Sequence, residues 1–410
     1  MSIPNQASGD MSDTIEHASL NPHGLRAEPD HYLLTPGPLT TAPQTRAAMT
    51  RDWGSWDQEF RDLTAELRRT VLEIAGNATD YDCIPMQGSG TFCVEAMLGS
   101  FVPHDGKVLV LVNGAYGQRI ARTLGYLGRA CRVLDKGDFS PPRGPEVARI
   151  LAEDAAITHV IVVHCETSSG ILNPIEEIAA VTAAHGRRFL IDSMSAFGAV
   201  NLDIETLQYE AMVSSANKCI EGVPGFGFII ARKTAFEQAK GRSHSLSLDL
   251  HEQWRTMNTT GQWRFTPPTH VVAAFVEALR LYMAQGGQSA RLARYTANRD
   301  TLVAGMKALG FGTLLEEQWL SPIIVTFLTP GHELFDFRKF YDLMKEKGFI
   351  IYPGKLTRVD SFRIGCIGHF GPDVMQRFIT AAQESLAALG IPHAAPSATS
   401  LAARDAAAQA

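Results

Sequence analysis

Lys218 lies in Ser214-Ser215-Ala216-Asn217-Lys218-Cys219-Ile220-Glu221-Gly222-Val223-Pro224-Gly225, soon after the apolar run Phe189-Leu190-Ile191 that closes on Asp192. An apolar strand ending in Asp, followed by a lysine among small polar residues and glycines, suits pyridoxal phosphate chemistry. A lysine amine makes the Schiff base, and a carboxylate keeps the pyridine nitrogen protonated. The protonated ring is the electron sink, so the two side chains must converge on one small molecule. Taken singly, each has a plainer reading. An Asp at a strand end is more often a cap or turn residue, and a loop lysine is usually solvated. The pair carries the argument.

A third element lies upstream. Gln87-Gly88-Ser89-Gly90-Thr91-Phe92 falls between a strand-like and a helix-like segment. Glycines let the backbone approach a phosphate, and a helix N-terminus offers unpaired N–H groups and the positive end of its dipole. Ser89 and Thr91 add hydroxyl donors. The motif is neither the nucleotide-hydrolase loop nor the dinucleotide-binding fingerprint. Alone it is a weak signal and reads more readily as a plain helix cap. Ahead of Asp192 and Lys218 it completes a set of phosphate cup, ring acid and Schiff-base lysine.

These residues need a scaffold, and the chain alternates strand-like and helix-like segments. Tyr81 to Gln87, Lys107 to Val112, Cys131 to Leu134, His159 to Cys165, Phe189 to Ile191 and Phe226 to Ile230 are predicted strands. Most are continuous apolar runs, as in a parallel sheet buried on both faces. Helical patterns separate them, as from Asp57 to Gly76, from Thr91 to Phe101 and from Pro174 to His185. Residues 32 to 265 therefore read as one large α/β domain with a mostly parallel sheet. After Pro267-Pro268 come two long amphipathic helices, about His270 to Gln285 and Ala290 to Leu309. Then follow a strand from Ile323 to Leu328, a helix from Phe335 to Lys347, strands Phe349 to Tyr352 and Phe362 to Ile367, and a last helix. Residues 266 to 391 read as a smaller α+β domain. Residues 1 to 30 read as a disordered leader, and 392 to 410 as a loose Ala-rich tail.

Composition bounds the partners. The 410 residues are 45% hydrophobic and 20% charged, as in an ordinary globular protein. The net charge of −6 and the lack of a basic block speak against nucleic acid and anionic membrane. No apolar run reaches membrane-spanning length. The six cysteines show no metal-like spacing, so no metal is expected, and reduced buried thiols point to the cytoplasm.

The resemblance to a known family is broad. It covers Tyr32 to Thr41, the Gln87 to Phe92 loop, Asn113-Gly114-Ala115-Tyr116-Gly117, His164-Cys165-Glu166-Thr167, Ile191-Asp192-Ser193-Met194-Ser195 and Ser214 to Gly227. It continues through Ser245 to Leu250, Trp263-Arg264-Phe265-Thr266-Pro267-Pro268-Thr269-His270, Ile351-Tyr352-Pro353-Gly354-Lys355 and Phe362-Arg363-Ile364-Gly365. On these stretches the chain resembles the class V aminotransferases, a branch of the fold-type I pyridoxal phosphate enzymes. Within that branch it resembles the members that act on 2-aminoethylphosphonate and pyruvate.

The resemblance implies a role for each matching position. Lys218 is the Schiff-base lysine and proton carrier, and Asp192 is the partner of the pyridine nitrogen. Ser89, Gly90 and Thr91 hold the cofactor phosphate. Tyr116 takes the place of an aromatic ring, often Trp, on the cofactor face; a plain core residue is its other reading. Ser168 matches a hydroxyl near the cofactor's O3′. Thr266 reaches the phosphate in a neighbouring subunit, which implies a homodimer with shared sites. Arg363 clamps the substrate anion, against the alternative of a surface ion pair, and Gly37 lies in a loop over the substrate. The implied reaction turns 2-aminoethylphosphonate and pyruvate into phosphonoacetaldehyde and L-alanine. Alanine–glyoxylate or serine–pyruvate transamination, or a pyridoxal phosphate lyase acting on a substituted aminophosphonate, are the competing expectations.

Overall fold

Apolar sequence becomes strand in this chain where helices cover both faces of a sheet. The computed structural model describes residues 29–408 apart from 203 and 356–358, so most of the expected leader lies outside the described residues. The central sheet has seven strands: β1 Tyr81–Gln87, β2 Lys107–Val112, β3 Ala130–Asp135, β4 Ile157–Val163, β5 Arg188–Asp192, β6 Ala211–Ser215 and β7 Phe226–Arg232. Their order across the sheet is β1-β7-β6-β5-β4-β2-β3. β2 to β6 run parallel, and β7 runs antiparallel to both β6 and β1. The interior runs of β2, β4 and β6 are buried almost throughout. Each buried Val, Leu or Ile there contributes roughly 1.5–3 kcal/mol relative to exposure.

One strand departs from expectation. The apolar run of β3 implies cover on both faces, yet its residues alternate between half-buried and exposed, with Val133 45% exposed. It is the edge strand, paired to β2 alone, so the sheet's cover runs out there.

Helices α1 Gln58–Ile74, α2 Gly90–Phe101 and α4 Ile175–Ala184 fall where the periodicity puts them, and α3 Ala115–Tyr126 joins them between β2 and β3. Asp57 caps α1, its side chain accepting the Glu59 N–H, and Phe60, Thr64, Leu67 and Val71 form the buried face. Two long helices, α5 Thr269–Ala284 and α6 Gly287–Ala308, lead into the C-terminal part. There β8 Ile324–Leu328, β9 Tyr352–Pro353 and β10 Ser361–Gly365 form an antiparallel sheet in the order β8-β10-β9. This part has its own core, in which Phe311, Phe327, Phe340 and Phe362 pack together. Tyr32–Leu33, which sequence puts at the start of the large domain, pairs instead with Phe349–Ile350, and Leu34 joins the C-terminal core.

The tail is a correction. Residues Ala398–Ala408 form helix α7 rather than loose chain. Alanine is the strongest helix former, so an Ala-rich run needs only an anchor. Leu401 packs on the C-terminal core, and Pro396 bridges to Pro330.

Candidate active site

The parallel strands deliver their carboxyl ends to one edge of the sheet, where open α/β folds place their ligands. A cavity of about 210 Å³ opens there, lined among others by Ser89, Gly90, Thr91, Tyr116, Asp192 and Lys218. Asp192 is the last residue of β5 and is 5% exposed. Its Oδ1 accepts the Met194 N–H at 3.0 Å. Burial pushes its carboxyl up to about 6; the Met194 N–H and the nearby Lys218 and Arg119 pull it down, and the charge of Glu166 pushes it further up.

Lys218 stands in the turn between β6 and β7. Burial brings its ammonium down to about 8, with the field of Asp192 working against that fall. Its Nζ donates to the carbonyl of Pro36 at 2.7 Å. The turn is locked from behind: the N–H of Glu221 donates to the carbonyl of Lys218 at 2.7 Å, and the Glu221 carboxylate is buried against Arg291, Arg294 and the Tyr295 hydroxyl. Gly37, beside Pro36, has φ +117°, and a Cβ there would lie 2.5 Å from the lysine Nζ. The sequence places Gly37 over the substrate; the geometry sets it against the lysine.

The phosphate cup is the start of α2. Ser89 is its N-cap residue, and its side chain makes no capping bond, so the hydroxyl is available to a ligand. A Cβ on Gly90 would lie 2.3 Å from the sulfur of Met194, so a side chain there would push the end of that methionine aside. Arg119, one helical turn beyond Tyr116 on α3, donates to Thr91 Oγ1 at 3.2 Å and lies 4.9 Å over the Tyr116 ring. Sequence reasoning missed Arg119; its i,i+3 spacing from Tyr116 was the available signal.

Glu166 was also missed as a site residue. Fully buried, with burial raising its carboxyl above the usual range, it accepts the N–H groups of Tyr116 and Gly117, each at 3.1 Å. It thereby fixes the backbone of the first turn of α3, which carries Tyr116. Ser168 is buried beside Glu166. Its hydroxyl donates to Glu166 Oε1 at 2.5 Å and accepts the Ala115 N–H at 3.0 Å, while Thr167 beside it lines the cavity.

Arg363, on β10, is 4% exposed. Its Nε donates to the Pro353 carbonyl at 3.0 Å and its Nη1 to the Thr167 carbonyl at 2.9 Å, which sets the guanidinium behind the cavity wall. Among the described residues no carboxylate forms an ion pair with it, so the surface ion-pair reading does not apply. Thr266 is exposed and lies in a separate surface recess with Trp263 and Phe265, away from the Asp192–Lys218 cavity of its own chain.

Pyridoxal phosphate fits the residues that line this one cavity: hydroxyls and backbone at the start of α2 for the phosphate, a buried carboxylate at the end of β5, and an amine that burial brings toward neutrality.

Residues 43–355 match the family model described as aminotransferase class-V. The chain is 67% identical over 377 residues to 2-aminoethylphosphonate–pyruvate transaminase 1 of Paraburkholderia xenovorans, covering 92% of this chain and 96% of that one. It is also 67% identical over 374 residues to 2-aminoethylphosphonate–pyruvate transaminase of Rhizobium meliloti, covering 91% and 98%. Among solved structures, pyridoxamine–pyruvate aminotransferase from Mesorhizobium loti superposes with a TM-score of 0.81 at 23% identity, over 92% of this chain and 97% of that one. Alanine–glyoxylate aminotransferase from Nostoc sp. gives 0.81 at 23% identity, over 88% and 96%. At that identity the structures speak for the fold alone.

Proposed function

The chain belongs to the class-V aminotransferase family, and from that premise we propose that it moves the amino group of 2-aminoethylphosphonate to pyruvate, with pyridoxal phosphate as cofactor. The products are phosphonoacetaldehyde and L-alanine. The observation that carries the reading is the 67% identity, over nearly the whole length, to two transaminases named for that reaction.

When bound, the cofactor supplies an electron sink for the carbon that loses its proton. The chain's own residues do the rest. Lys218 would hold the cofactor through its Nζ, and the same Nζ would take the proton from the CH₂ next to nitrogen. That carbon carries no carboxylate to acidify it, so the reaction leans on Asp192 to keep a proton on the pyridine nitrogen. Ser89, Gly90 and Thr91 bind the phosphate at the start of α2. Tyr116 covers one face of the ring. Arg363 grips the anionic end of each substrate in turn.

Thr266 reaches the phosphate cup of a second copy, making the working unit a homodimer. The exposure of Ser89 and Thr91, and of the large apolar side chains of Phe92 at 51% and Leu246 at 71%, supports a covering partner. The six cysteines are all free, which supports a reducing, cytoplasmic setting. Among the described residues no helix is long and apolar enough to cross a membrane.

The test is a coupled assay of purified protein with 2-aminoethylphosphonate and pyruvate, following both alanine and phosphonoacetaldehyde. Formation of both in equal amount is expected. Ammonia release without pyruvate would replace the reading with a lyase. Glycine from glyoxylate, with 2-aminoethylphosphonate left untouched, would replace it with another transaminase of the family.

A further inference from the structure

We propose that Lys355 is a specificity-determining residue: with Arg363 it forms a two-cation clamp for the phosphonate head, whereas the carboxylate of the acceptor engages Arg363 alone. The inference rests on the substrate reading above and deepens it. Lys355 Nζ stands 4.6 Å from the centroid of the Tyr116 ring, and Tyr116 lines the cavity. Arg363 sits 5.9 Å over the ring of Tyr352, its cross-strand partner in the β9–β10 ladder. Lys355 leaves the end of that same ladder. The N–H of Gly354 donates to the Ser361 carbonyl at 2.9 Å, and a Cβ on Gly354 would lie 2.5 Å from that oxygen. The glycine lets the ladder close and aims the next residue toward the site. The two strands of one ladder therefore carry both cations, Lys355 over the Tyr116 ring and Arg363 between the Pro353 and Thr167 carbonyls behind the cavity wall. The charge of Lys355 is also felt at Lys218, which sets it within electrostatic range of the reacting nitrogen.

Charge balance explains why two cations belong there. The Asp192 and Glu166 carboxyl groups are already buried in and behind the wall, and Arg119 is tied to Thr91 in the phosphate cup. A carboxylate brings one charge, which a single guanidinium fork satisfies in a plane. A phosphonate brings up to two, on a tetrahedral head whose third oxygen lies outside that plane. A compact ammonium with three freely rotating donors suits the third oxygen. Among the described residues no carboxylate pairs with Lys355; its ammonium rests on an aromatic face, a hold weak enough to be exchanged for a charge-assisted bond to a ligand.

The experiment uses the cofactor-loaded enzyme with Lys355→Met and Lys355→Arg. Binding of ethylphosphonate and of propionate, neither able to react, is measured by calorimetry beside the KM values for the two substrates. Lys355→Met is expected to weaken ethylphosphonate and raise the KM for the aminophosphonate by about tenfold or more, the scale of one lost charge-assisted contact. Propionate binding and the KM for pyruvate should shift by less than about threefold on the same scale, and Lys355→Arg should recover most of the loss. Equal losses for phosphonate and carboxylate, or none for either, overturn the proposal; so does loss of the visible cofactor band in Lys355→Met. Wild-type enzyme that makes no alanine from 2-aminoethylphosphonate would sink the substrate reading instead, whatever the variants bind.

Discussion

Lys218 and Gly37 share one small volume: a methyl group on Gly37 would lie 2.5 Å from the lysine Nζ and 2.8 Å from its Cδ. The lysine is therefore held by what Gly37 lacks, as well as by its bond to the Pro36 carbonyl. Gly37→Ala should displace the amine from its resting position. Since misplacement by about 1 Å costs on the order of 10²-fold in rate, a fall of that size in kcat is expected. The left-handed φ adds strain of about 1–3 kcal/mol, visible as a lower Tm. Turnover within twofold of wild type would show that the loop moves aside freely.

Capture of the cofactor should follow the ionisation of Lys218. The neutral amine is the nucleophile, and burial brings this ammonium down to about 8. Apo-protein mixed with pyridoxal phosphate should therefore load slowly at pH 6, faster as pH rises, and level off above about pH 8. Borohydride should then fix the cofactor to the peptide containing Lys218, and Lys218→Ala should abolish turnover. A loading rate flat from pH 6 to 9, or a tag on another lysine, would remove Lys218 from its role.

Asp192 makes opposite contributions in the empty and loaded protein. Its carboxyl, pushed up to about 6 by burial, favours the proton in the fold, so the stability that proton provides is present below the ordinary value near 3.8 and is lost as pH rises through 6. Above that window the buried charge costs the apo-protein about 3 kcal/mol. Asp192→Asn should accordingly raise the apo Tm at pH 7.5, with the gap closing toward pH 4. In the loaded enzyme the ring proton makes the charge favourable, and Asp192→Asn should lose on the order of 10³-fold in kcat. An Asn variant that is less stable when empty and near wild type in rate would show that Asp192 is structural.

The readability of the chain followed the physics of each element. Continuous apolar runs marked β2, β4 and β5 because parallel strands are covered on both faces, and Asp192 and Lys218 stood out because their chemistry needs both. The edge strand β3 was misjudged because its run is as apolar as its neighbours'; only position in the sheet exposes Val133. Thr167 and Ser168 are adjacent hydroxyls, and which one meets the cavity depends on Glu166 being buried behind the turn. Lys355 reaches Tyr116 from a distant part of the chain, a convergence that spacing does not disclose, whereas Arg119 lies three residues on in α3 and was open to a spacing argument.

Arg363 is where both half-reactions should meet. Its guanidinium is aimed by two backbone carbonyls, Pro353 through Nε and Thr167 through Nη1, and burial lowers its ordinarily high basicity against the opposing fields of Tyr116, Glu166 and Tyr352. Among the described residues it forms no ion pair, which leaves this buried charge to an anionic ligand. Replacing it with Lys keeps the charge but loses the fork and both carbonyl contacts, so the ammonium has no fixed direction. Arg363→Lys should therefore raise the apparent KM for both substrates together, each by roughly 1.5–3 kcal/mol of lost charge-assisted contact, on the order of 10- to 150-fold. The visible cofactor band should survive, because Arg363 touches neither Lys218 nor the phosphate cup. Half-reactions followed separately by stopped flow give the two values. A loss confined to pyruvate would make Arg363 a carboxylate clamp and leave the phosphonate to another group; no loss in either would make it a structural tie between β10 and the Thr167 turn.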